Sequence, residues 1–138
     1  MAETPTKNTP EKTPVVKKKI IINVAEARLY VMSTFNNTLV TVTDNQGNVL
    51  TWSSAGNCGF KGARKSTPFA ATTAIEKALE SAKKFCIKKL AVYLKGPGVG
   101  RDAALRFLRT KRDFEVDMLS DITPIPHNGP RPPKQRKV

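Results

Sequence analysis

The chain closes on eighteen residues, Asp121 to Val138, that include five prolines and so cannot build a regular hydrogen-bonded element. Proline fixes φ and removes a backbone donor, so Pro124 to Pro133 is expected to run extended, polyproline-like or in turns. Arg131, Lys134, Arg136 and Lys137 then line an arm reaching roughly 45 Å, at about 3 Å per residue. The other end is equally poor in core-forming residues. Met1 to Pro14 is almost wholly Thr, Pro, Lys and Glu, a composition expected to be disordered. About a hundred of the 138 residues are left to build one core. The expected organisation is a basic N-terminal extension over 1–19, an α/β domain over 20–122 and an extended basic tail over 123–138.

A net charge of +13 makes a polyanion the expected partner, with nucleic acid ahead of a membrane surface. The charge is uneven. Residues 61–112 hold fourteen basic and three acidic side chains, whereas residues 23–60 are net −1. Cys58 and Cys86 are too few for a four-cysteine zinc site, no segment reads as a signal peptide, and no apolar run approaches the roughly 18 residues of a membrane span. These features fit a cytoplasmic protein without a cofactor.

Lys17-Lys18-Lys19 followed by Ile20-Ile21-Ile22 reads as a basic arm entering a buried strand. Strands are expected over Arg28 to Phe35 and Thr38 to Thr43, joined by Asn36-Asn37 in a two-residue type I′ turn, because Asn tolerates positive φ. The Asp44 to Asn48 turn leads to a third strand, Val49 to Ser53. Thr67 as N-cap and Pro68 at the first position start a helix whose apolar face is Ala71, Ala74, Ile75, Ala78, Leu79, Ala82 and Phe85. Leu90 to Leu94 reads as a strand and Arg101 to Arg109 as a second helix with Ala104, Leu105 and Leu108 inward. Part of Phe114 to Ile122 reads as a final strand. The order β-β-β-α-β-α-β predicts a mixed sheet with two helical crossovers.

Two glycine-spaced loops precede the helices. Gly56, Gly59 and Gly62 lack the Gly-Lys-Ser/Thr ending of a P-loop, and Gly96-Pro97-Gly98-Val99-Gly100-Arg101 lacks the third glycine of a dinucleotide fingerprint. Turn geometry and contact with a polyphosphate backbone both account for the glycines; Lys61, Arg64, Lys65, Lys95 and Arg101 beside them favour the second. For Lys83, Lys84, Lys88 and Lys89 a solvated helix end is as good a reading as a binding patch. Trp52, Phe60 and Tyr93 read as core residues before base-stacking ones. His127 is the only histidine, so neither a metal site nor a catalytic dyad forms around it. Asp44, Asp102 and Asp117 lack evident carboxylate partners, which argues against an enzyme. In Asn128-Gly129 the unhindered glycine nitrogen can attack the Asn side chain, making Asn128 a candidate isoaspartate site.

Three segments carry a specific likeness: Phe60-Lys61-Gly62-Ala63-Arg64-Lys65-Ser66-Thr67-Pro68-Phe69-Ala70-Ala71, Lys95-Gly96-Pro97-Gly98-Val99-Gly100-Arg101, and Asp121-Ile122-Thr123-Pro124-Ile125-Pro126-His127-Asn128-Gly129. With them the chain closely resembles the bacterial small-subunit ribosomal protein eleven family, from about Ile20 to Val138, the leader lying outside the likeness. The resemblance implies an α/β fold of ribonuclease-H-like topology without that enzyme's carboxylate cluster. It implies a structural role on the platform of the small subunit, bridging rRNA helices near the exit site and helping form the cleft for the Shine-Dalgarno duplex of messenger RNA. Small-subunit proteins seven and eighteen are the implied neighbours, and initiation factor three a transient one. The family's RNA-contacting motifs match Asn36 and Asn37, Lys61 to Lys65, Lys95 to Arg101, and His127 to Lys137; its isoaspartate site matches Asn128. The basic run Lys17 to Lys19 joins these on charge. Pro130 stands where the family pattern leads one to expect Cys, and Val99 where a second Pro is common. A metal-dependent nuclease and a general basic chaperone or DNA-binding protein are the rival readings. The first needs clustered carboxylates; the second needs no preference for rRNA over duplex DNA.

Overall fold

A computed structural model describes residues 23–137; the expected basic run at Lys17 to Lys19 and the isoleucine strand before Asn23 lie outside the described residues. Strand β1 (Glu26–Ser33) pairs antiparallel with β2 (Thr38–Thr43), which pairs antiparallel with β3 (Val49–Ser54). Helix α1 (Pro68–Ala82) crosses to β4 (Lys89–Lys95), and α2 (Gly100–Thr110) crosses to β5 (Glu115–Asp121). The sheet order is β3-β2-β1-β4-β5, with β1, β4 and β5 mutually parallel. This is the mixed α/β sheet with two helices that the element order predicted.

The two helices pack on each other and on one face of the sheet. Alternation puts Ala27, Leu29 and Val31, Val40 and Val42, and Leu90, Val92 and Leu94 on that face, where they are buried beneath Ala74, Ile75, Ala78, Leu79 and Ala104. Small residues on α1 let the helix approach the branched side chains of the strands closely. The Thr67 hydroxyl accepts from the Ala70 amide at 3.3 Å, with Pro68 at the first helical position, as the sequence implied. Thr67→Ala is expected to cost about 1 kcal/mol, read from urea unfolding with an unchanged m-value.

The structure corrects several expectations. No non-glycine residue near Asn36 has positive φ, so the β1–β2 connection is not a type I′ turn. It is a four-residue corner, Thr34 to Asn37, closed by the Thr34 amide donating to the Asn37 carbonyl at 2.9 Å, with the Asn37 amide donating to the Thr34 hydroxyl at 3.1 Å. Strand β1 therefore ends at Ser33, and Phe35 is exposed. Trp52 is not a core residue: it sits 59 % exposed on the face away from the helices, in register with Thr41. Tyr30 and Tyr93 stack on that same face with ring centroids 5.0 Å apart, half-buried. Phe60 is half-buried edge-on to the exposed Phe69. Leu105 and Leu108 are half-buried, and β5 is exposed along almost its whole length, because the helices cover the centre of the sheet and leave this margin bare. No helix among the described residues is long and apolar enough to cross a membrane.

Candidate nucleic-acid interface

Strand direction brings the candidate loops together. β1, β3, β4 and β5 all run the same way, so the corner after β1, the loop after β3, the loop after β4 and the tail after β5 leave from one end of the sheet. Carboxyl ends of strands are where open α/β sheets bind ligands. Asn36 and Asn37, Lys61 to Lys65, Lys95 to Arg101 and the start of the tail are thereby one neighbourhood, although up to 87 residues separate them in sequence.

Hydrogen bonds tie these segments to each other. The Gly98 amide donates to the Ser33 carbonyl at 3.0 Å and the Gly100 amide to the buried Ser33 hydroxyl at 3.1 Å, clamping the β4–α2 loop to the β1–β2 corner. The Ala55 amide donates to the Thr38 carbonyl at 3.1 Å, joining the loop after β3 to the same corner. A Cβ on Gly96, Gly98 or Gly100 would overlap Ser33, Thr34 or Thr38 atoms. The glycine spacing of this loop therefore serves backbone packing against the corner, which leaves Lys95 as its flanking exposed cation. In the first loop no atom lies within 4 Å of a Cβ built on Gly59 or Gly62, and both have positive φ, so turn geometry explains them. That loop ends in a short 3-10 helix, Gly62–Ser66, which sequence reading missed; it holds exposed Arg64 and half-buried Lys65 next to exposed Lys61.

Among the described residues, Lys61, Arg64, Lys65, Lys95, Arg131, Lys134, Arg136 and Lys137 make no ion pair. Arg101 differs. Its guanidinium pairs with the Asp121 carboxylate and donates to the Gly96 carbonyl at 3.1 Å, so it is occupied in holding the loop to the end of β5. Asp121 also accepts from the Thr123 hydroxyl at 2.6 Å and the Thr123 amide at 2.9 Å, and Thr123 in turn accepts from the Gly96 amide at 3.1 Å. This closed network fixes where the tail departs. Beyond it residues 124–137 form no helix or strand and every one is exposed; Asn128 sits in the left-handed region at φ 56°. His127 is exposed in the same stretch, as are Arg131, Lys134, Arg136 and Lys137.

The Thr123 hydroxyl first, then the Thr123 amide and Arg101, hold the Asp121 carboxyl below its ordinary value of 3.8. A carboxyl depressed on folding contributes stability above its ordinary value and loses it as pH falls through the folded value. The joint is thus expected to hold down to pH 3.8 and to open in more acid solution. The Gly96 and Thr123 amide resonances should shift together on acid titration, and Asp121→Asn should remove that shared step.

At the opposite end of the sheet two cations are paired: Lys83 with Asp113 at 2.7 Å and Lys111 with Glu76 at 3.0 Å. Lys77 donates to the carbonyl of Asn57, in the loop after β3, at 2.9 Å. Lys83 hydrogen bonding first, then its charge, lowers the Asp113 carboxyl below its ordinary value. Lys83 at least is a helix-end ion-pair partner. Asp44 caps its own turn, accepting from the Gln46 and Asn48 amides at 2.9 Å. No group of three or more His, Cys, Asp or Glu side chains among the described residues could hold a metal ion.

One end of unpaired cations on a rigid frame, with a cationic tail fixed at its root, defines a polyanion-binding protein. Comparison with known proteins gives the particular family. The model of the ribosomal protein S11 family matches residues 27–137, and the chain belongs to that family. It is 52 % identical over 124 residues to the small ribosomal subunit protein uS11 of Sulfurovum sp. (strain NBC37-1), covering 90 % of this chain and all of that one. It is 47 % identical to the uS11 of Psychromonas ingrahamii across the whole of both chains, so the likeness extends through the leader that was expected to lie outside it. The uS11 of Desulfotalea psychrophila is 53 % identical over 122 residues, covering 88 % of this chain and 96 % of that one.

Proposed function

We propose that this chain is an architectural rRNA-binding protein of the small-subunit platform, bridging rRNA helices by neutralising their phosphates and helping form the Shine-Dalgarno cleft. Its family makes it a structural, non-enzymatic component of the small ribosomal subunit, working in translation in the cytoplasmic ribosome. The observation that carries the finer reading is the convergence of Asn36, Asn37, Lys61, Arg64, Lys65 and Lys95 with the root of the tail at one end of the sheet. Packed RNA helices repel through their phosphates, and a fixed group of unpaired cations with an extended arm offsets that repulsion at several points at once. Asn36 is exposed and offers its side-chain amide to RNA, whereas the Asn37 side-chain Oδ1 already accepts from the Thr38 backbone amide at 2.9 Å. Arg101 acts by holding the tail's root, and His127, Asn128, Arg131, Lys134, Arg136 and Lys137 make the tail's contacts. Lys17 to Lys19 supply further cations for RNA. The body over 20–122 with arms 1–19 and 123–138 is the proposed division of labour. Small-subunit proteins seven and eighteen are the proposed neighbours, messenger RNA lies nearby, and initiation factor three is a transient contact.

Small subunits reconstituted without the chain should leave platform rRNA newly open to hydroxyl-radical cleavage; an unchanged cleavage pattern would remove the platform role. Asn128 has left-handed φ at an exposed bend, and aged protein is expected to yield a β-linked peptide at the Asn-Gly pair. A peptide map without that species would remove the modification.

A further inference from the structure

Among the described residues, the fold leaves an apolar surface between α2 and β5 without cover. Register pairs Val116 with Leu90 and Leu119 with Val92, so both lie on the helix-bearing side of the sheet. Leu90 and Val92 are fully buried, yet Val116 is 43 % and Leu119 53 % exposed. An α/β sheet normally covers such a strand with the next helix of the chain. Here the chain turns instead into Thr123-Pro124-Ile125-Pro126, which forms no helix. Between α2 and β5 there remains a groove of about 500 Å³, lined by Leu105, Leu108, Val116 and Leu119 and edged by Arg106 and Arg109. Neither arginine makes an ion pair among the described residues, and the outer edge of β5 pairs with no strand among them.

The chemistry selects the occupant. RNA would bring phosphates against an aliphatic lining that has no aromatic ring for a base to stack on. A second copy would bring another +13 of charge against Arg106 and Arg109. An amphipathic protein segment meets the aliphatic floor with its apolar face and the two arginines with flanking carboxylates. We infer that the α2–β5 groove docks a protein segment, apolar on one face and acidic along its flanks, from a neighbour within the small subunit. This rests on the ribosomal reading above and adds to it a protein-binding face separate from the RNA-binding end.

A photoreactive benzophenone side chain at Val116, with a second placement at Asp117, tests this in assembled small subunits. Absence of the chain from subunits would count against the ribosomal reading itself. With the chain present, the expected product is a crosslink to a protein peptide carrying Asp or Glu beside Leu, Ile, Val or Phe. Arg106→Gln with Arg109→Gln should cut its yield by about ten-fold without displacing the chain. A crosslink to rRNA or to a second copy, no crosslink from either position, or a yield indifferent to the arginine changes would overturn the proposal.

Discussion

Gly98→Ala is expected to lower the melting temperature by roughly 10–20 °C, equivalent to about 2–4 kcal/mol in a domain of this size. The added methyl would overlap the Ser33 hydroxyl and the Thr34 carbonyl. A flexible side-chain tip moves out of the way cheaply; a backbone carbonyl at the root of a strand does not. Gly96→Ala adds a second cost, since Gly96 has φ 99° and its new methyl would overlap the Ser33 carbonyl. Gly47 separates the two effects: it has φ 95° with nothing within 4 Å of a built Cβ, so Gly47→Ala should cost only about 1 kcal/mol. Thermal unfolding followed by circular dichroism ranks the three. If Gly98→Ala costs no more than Gly47→Ala, the clamp between the β4–α2 loop and the β1–β2 corner is not a determinant of the fold. Where Gly98→Ala is still folded, RNA binding should also weaken, because the clamp sets the spacing between Asn36 and Lys95.

Changing Arg131, Lys134, Arg136 and Lys137 together to Gln is expected to lower rRNA affinity by on the order of 10²- to 10³-fold at low salt. The slope of log K against log salt should flatten by about 3, from the four cations at roughly 0.7–0.9 each. Folding stability should be unchanged, since all four are exposed and make no ion pair among the described residues. Arg101→Gln should act differently. It leaves the cation count of the arm intact but frees the root at Asp121, so affinity falls while the slope changes by no more than about 1. An equal loss of slope for the two variants would mean that Arg101 contacts phosphate directly.

Local chemistry made much of this molecule legible. Thr67-Pro68 marked the start of α1, the alternation of Val40 and Val42 against Thr41 and Thr43 marked β2, and cations beside glycines marked the loops. Long-range arrangements were not readable. Positive φ at Asn36-Asn37 was inferred from residue type, but Thr34 supplies its own hydroxyl and closes a wider corner. Gly96, Gly98 and Gly100 suggested a phosphate loop because sequence does not reveal Ser33 lying beneath them. Arg101 counted as a free cation because its partner Asp121 is twenty residues away. Trp52 read as core because aromatic residues usually are; only the placement of both helices on one face exposes it. That the four candidate segments share one end follows from β1, β3, β4 and β5 running the same way, a property of topology.

The chain is expected to bind small-subunit rRNA selectively through one cationic end. This is tested most directly by titrating the full chain with a platform rRNA fragment, an unrelated structured RNA and duplex DNA, across a salt series with excess competitor. Platform binding that outlasts the other two at moderate salt is the expected result. Equal, equally salt-sensitive binding to all three would contradict it and leave charge alone as the driving force.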